Sequence, residues 1–106
     1  MLIENNFHYP VMLKLKGKQC VIIGGGEVAA RKLNTLCEAG AKVTIVAPQF
    51  CAMLQETAQK YHCQLINDCY KTQYLQHAFI VIAATNDVTV NRQITTEAPL
   101  LCNNIT

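Results

Sequence analysis

The sequence contains no run of basic residues, no Cys-x-x-Cys pair and no apolar stretch that approaches membrane-spanning length. Without basic runs, and with a net charge of only +2, nucleic acid is not an expected partner. Six cysteines stand at positions 20, 37, 51, 63, 69 and 102 in no zinc or disulfide pattern. Cys20, Cys63 and Cys102 fall within apolar runs, where a thiol acts as a small core hydrophobe. The opening Met1-Leu2-Ile3-Glu4-Asn5-Asn6 has no basic region followed by an apolar one, so it does not read as a signal peptide. Internal repeats and low-complexity segments are also missing. These absences together lead us to expect a cytoplasmic protein in a reducing setting, with no membrane partner.

What is present suffices for one packed domain. The chain has 106 residues, 51% of them hydrophobic and 15% charged, which leaves no case for disorder.

The chain is organised around Val21-Ile22-Ile23-Gly24-Gly25-Gly26-Glu27-Val28-Ala29-Ala30. An apolar, β-branched strand runs into a glycine turn and then into a helix. Gly24, Gly26 and Ala29 fill the three small positions of a G-x-G-x-x-G/A dinucleotide fingerprint. The first permits the tight turn, the second lets backbone approach a pyrophosphate, and the third allows the helix close to the sheet. Amides in the first helical turn lack internal partners and point at whatever anion lies above them. A lone glycine triplet is usually only a turn; the strand before it and the helix after it are what strengthen this one.

The remaining elements alternate. We expect strands over Gln19–Ile23, Lys42–Ala47, Cys63–Ile66, Phe79–Ala84 and Leu100–Ile105, after an extended lead-in over Phe7–Leu13. Helices are expected over Glu27–Ala39, Phe50–Tyr61 and Val88–Glu97, with Gly40 closing the first. Asn67 to Gln76 reads as loop with a turn or two of helix. This alternation implies an α/β fold: a Rossmann-like, doubly wound parallel sheet of five strands in the order 3-2-1-4-5, helices on both faces. Ligand would enter between strands 1 and 4 at their carboxyl ends.

Candidate cofactor-binding residues cluster at that edge: Gly24, Gly25, Gly26, Glu27, Val28, Pro48, Gln49, Thr85 and Asn86. A Glu27 carboxylate would repel a pyrophosphate, so its contribution must come from the backbone N–H. Gln49 could hydrogen-bond a ribose hydroxyl without charge, where many such folds place an acid. Neither an acid nor an arginine stands there, so the residues alone leave NAD and NADP open. Thr85 and Asn86 follow the fourth strand, where a nicotinamide ribose would pass, although ordinary turn chemistry accounts for them equally. Asp87 reads as a helix N-cap. His8, His62 and His77 are scattered, and no metal site or catalytic set emerges.

Three blocks add a resemblance. Tyr9 to Gly17 with Val21 to Lys32, Glu38 to Pro48, and Val81 to Asp87 with Val90-Asn91 and Cys102-Asn103 resemble precorrin-2 dehydrogenases, the dehydrogenase portion of siroheme synthase. The likeness spans almost the whole chain. It implies oxidation of precorrin-2, a tetrapyrrole, to sirohydrochlorin with NAD as hydride acceptor, and in some members insertion of ferrous iron. It also implies cofactor contacts at the backbone of Glu27 and Val28 and at Pro48 and Gln49. Several members carry an aspartate after the Cys-Asn pair; this chain reads Asn104-Ile105-Thr106, and Thr106 is a poor proton acceptor. The family continues into a dimerisation segment and a helical region, so we expect this chain to be truncated and to show little turnover alone. A non-catalytic module that senses NAD(H) is the alternative, and a remnant that binds nothing is a third.

Overall fold

Alternate residues of the first apolar run enter two different cores. Cys20 and Ile22 join a cluster with Ala29, Leu33, Ile45, Leu54 and Ile82; Val21 and Ile23 join another with Val46, Val81 and Ile94. A strand apolar on both faces needs a layer of structure on each side, and this one has both. The computed structural model describes residues 15–98 in full, and the backbone alone of three short strands outside that span.

In chain order the elements are β1 (Leu2–Ile3) and β2 (Val11–Met12), an antiparallel pair, then β3 (Gln19–Ile23), α1 (Glu27–Glu38), β4 (Lys42–Ala47) and α2 (Ala52–Tyr61). They continue with β5 (Gln64–Asn67), one 3-10 turn over Thr72–Leu75, β6 (Ile80–Ala83), α3 (Val88–Glu97) and β7 (Leu101–Asn104). The four main-sheet strands with described side chains lie in the order β5-β4-β3-β6, all parallel. The backbone of β7 pairs in parallel beyond β6, Ile80 opposite Leu101 and Ala83 opposite Asn104. The architecture is Rossmann-like. The lead-in over Phe7–Leu13, apart from the β2 backbone, lies outside the described residues, as do Leu100, Ile105 and Thr106.

The helices divide between the faces by their apolar stripes. On α1, Ala29, Ala30, Leu33, Leu36 and Cys37 are buried, and Leu54 and Ala58 of α2 join them in the first core. Ile94 of α3 belongs to the second core, with Leu75 and Ala78. Leu33 is 0% exposed. Truncating such a leucine to alanine costs about 2–5 kcal/mol, a large share of a domain's margin.

Both first-core helices end by the same device. Gly40 takes φ 85°, its N–H donates to the Cys37 carbonyl at 2.9 Å, and Ala41 N–H donates to Leu36 at 3.1 Å. These are the two bonds of a Schellman stop. On α2 the left-handed position is His62, at φ 58°, and Cys63 N–H donates to Ala58 at 2.8 Å.

Several boundaries depart from the sequence expectation. Helix α2 starts at Ala52 rather than Phe50, because Cys51 is extended and its N–H is held by the Gly25 carbonyl at 2.8 Å. Likewise β5 runs one residue later than expected, since His62 and Cys63 complete the helix stop. The fourth strand is shorter by one residue at each end than Phe79–Ala84.

Candidate functional site

The three adjacent glycines have three different environments. Gly24 sits at φ 142° and donates its N–H to Val46 at 2.9 Å; a Cβ there would stand 2.2 Å from the Ala84 carbonyl oxygen. At Gly25 a Cβ would fall 1.8 Å from the Gln49 carbonyl oxygen. Both are required by the protein's own packing. Gly26, by contrast, has φ −95° and ψ −165°, which any residue can adopt, and a Cβ there would meet nothing within 4 Å. Nothing in the fold demands glycine at this position. The space beside it is open.

That room is part of a cleft of about 890 Å3 over the carboxyl ends of β3, β4 and β6. The chain leaves β3 toward one face and β6 toward the other, so a crevice opens between them. Of the residues expected in the site, Gly24, Gly25, Gly26, Pro48, Gln49, Thr85 and Asn86 line this single cleft. Glu27 and Val28 do not line it; they are the first helical residues behind Gly26, with Glu27 exposed. Helix α1 has no side-chain cap, so the amides of its first turn have no side chain closing them off. Gly26 also offers its carbonyl to Ala30 N–H at 3.0 Å, which starts the helix.

Phe50, Cys51, Val88 and Thr89 also line the cleft, and sequence reasoning did not single them out. Val88 is 55% exposed, although it is aliphatic. No local sequence signal marks Val88, since its exposure and its place opposite the glycine turn appear only in the fold.

The turn after β6 is internally bonded. Asn91 of α3 is 0% exposed; its Nδ2 donates to the Thr85 carbonyl at 3.0 Å, and its Oδ1 accepts from Thr85 N–H at 3.0 Å and from Thr85 Oγ1 at 2.7 Å. Thr85 Oγ1 accepts from Asp87 N–H at 3.1 Å. Asp87 caps α3, accepting from Thr89 N–H at 2.8 Å and Val90 N–H at 3.2 Å. Asn86 lies exposed between them, and its amide bonds to no other described residue.

Among the described residues, the only carboxylate along the cleft is Asp87, already engaged in its cap, and no Lys or Arg lines it. Attraction for an anion must therefore come from main-chain N–H groups and the positive end of α1. The perturbed acids lie elsewhere. Hydrogen bonds from Tyr74 and Lys71 hold Asp68 below the usual carboxylate range, with Lys71 Nζ 3.1 Å away. Tyr70 and Thr72 do the same for Glu97. Among the described residues no cluster of three His, Cys, Asp or Glu side chains could hold a metal ion. Among the described residues no helix is long and apolar enough to cross a membrane.

Comparison with known proteins places the chain in a family. The family model described as "Putative NAD(P)-binding" matches residues 11–106. The chain belongs to that family. A "Siroheme synthase" of Photorhabdus laumondii is 41% identical over 86% of this chain, and one of Pseudoalteromonas translucida is 40% identical over 82%. The chain spans only 19% and 18% of those two proteins. Among solved structures, "SirC, precorrin-2 dehydrogenase" superposes with a TM-score of 0.80 at 32% identity, covering 90% of this chain and 48% of that one. This family member thus shares its fold with a dehydrogenase and its sequence with the siroheme synthases.

Proposed function

We propose that this chain is the cofactor-binding domain of an NAD-dependent precorrin-2 dehydrogenase that forms sirohydrochlorin for siroheme. The observation that carries the reading is Gly26: open space for a Cβ, at an uncapped helix start, inside the cleft of an NAD(P)-binding family member. A dinucleotide fits the donors present. Its diphosphate would lie over Gly26 against the first amides of α1, including those of Glu27 and Val28. Pro48 and Gln49 would border the adenine ribose, with the Gln49 amide serving its hydroxyls. Asn86 would face the nicotinamide half across the cleft. When bound, the nicotinamide supplies a hydride acceptor; the chain's residues supply position.

NAD is the cofactor we propose. Among the described residues no cation lines the cleft to receive a 2′-phosphate, and neutral Gln49 stands where the ribose would lie. The tetrapyrrole would approach from the open side of the cleft. Thr106, which occupies the position of an aspartate in several family members, lies outside the described residues. A cytoplasmic setting suits the free thiols of Cys20, Cys37, Cys51, Cys63 and Cys69.

The test is an assay of the chain, together with any downstream coding sequence, for NADH production from precorrin-2. Turnover supports the dehydrogenase. NAD binding without turnover favours a sensing module, and failure to bind either NAD or NADP defeats both.

A further inference from the structure

Asn91 is the only polar side chain among the described residues that is fully buried, and all its hydrogen bonds go to one residue. A buried amide with both ends satisfied by a single threonine makes a clip between α3 and the turn after β6. Asparagine matches both main-chain groups of Thr85 at once, accepting from its N–H and donating to its carbonyl. The Thr85 hydroxyl then fixes the next turn by accepting from Asp87 N–H. Asn86 is held on both sides, with its own side chain left over at the cleft.

Resting on the cofactor reading above, we infer that Asn91 is a positioning residue for the nicotinamide half of the dinucleotide, acting through Thr85 to aim Asn86 across the cleft. Asn91 does not line the cleft and touches no ligand itself. The adenine half would lie over β4, on the other side of β3, where Asn91 has no bond. The clip therefore governs one half of the ligand and leaves the other alone.

Affinities for NADH and for ADP, which carries only the adenine and diphosphate portion, separate this from a structural role. In Asn91→Ala, NADH affinity should fall about tenfold or more while ADP affinity stays within about twofold. Thr85→Val keeps the β-branched shape and removes the hydroxyl, so it should show the same split, and Thr85→Ser should restore NADH binding. Should Asn91→Ala fail to fold, Asn91→Ser, which loses the two-point match to the Thr85 main chain, decides by the same pair of affinities. Equal loss of both ligands, or loss of neither, in the folded variants overturns the inference while leaving the cofactor reading intact. A parent chain that binds neither NADH nor ADP overturns both.

Discussion

Gly25 and Gln49 are locked together across the mouth of the sheet. The α-carbon of Gly25 comes so near the turn after β4 that a Cβ would lie 1.8 Å from the Gln49 carbonyl oxygen. The Gly25 carbonyl in turn receives Cys51 N–H at 2.8 Å. The glycine turn and the segment bearing Pro48 and Gln49 thus form one unit, and two parts of the proposed site hold each other in place.

It follows that Gly25→Ala damages the fold before it damages binding. Backbone must move to admit the methyl group, at a cost of about 1–3 kcal/mol or more. Thermal or denaturant unfolding should show a clear loss of stability. An unchanged midpoint would mean that the two loops are not in contact.

Asp87→Ala tests the α3 cap. Its carboxylate accepts two N–H groups at 2.8 and 3.2 Å, and losing such a cap costs about 1 kcal/mol. The midpoint of urea unfolding should fall accordingly, and Asp87→Asn should recover most of the loss.

Much of this architecture is legible in the sequence, and the exceptions share a cause. Gln19–Ile23 and Ile80–Ala83 declare themselves as doubly buried strands because almost every residue is apolar. Asp87 shows itself as a cap because the chemistry is local. Asn91 does not: it looks like another polar residue on α3, although it lies three residues before Ile94 and so on the inward stripe. Its partner is six residues back, in a different element. Likewise the demand for glycine at position 25 comes from Gln49, a contact invisible without the fold. Local signals predicted the elements; contacts between elements set their ends and their buried polar groups.

Stability should fall on the alkaline side. Burial, with a hydrogen bond and proximity to Cys63, pushes the Cys37 thiol up to about 12, and burial pushes Cys20 up to about 11. The folded state keeps these protons while the unfolded chain releases them from about pH 9. The stabilisation is whole below that pH and is lost as pH rises toward 11 and 12. Unfolding free energies from pH 8 to 10.5 should decline less steeply in Cys37→Ala than in the parent. Parallel slopes would contradict the assignment.

Gln49→Arg should shift cofactor choice. A guanidinium at the adenine-ribose side supplies a cation where none of the described residues provides one, and should raise NADP affinity relative to NAD by about tenfold. Calorimetric titration with each cofactor measures the ratio; an unchanged ratio would move the ribose away from Gln49.

The most direct measurement is NAD titration of Gly26→Val alongside its thermal unfolding. The parent should bind in the micromolar-to-millimolar range. The variant should keep its stability to within about 1 kcal/mol, since a Cβ at this position meets no protein atom within 4 Å, yet show no saturable binding, since the side chain would stand in the diphosphate's place. A Gly26→Val protein that binds NAD as tightly as the parent would contradict the account.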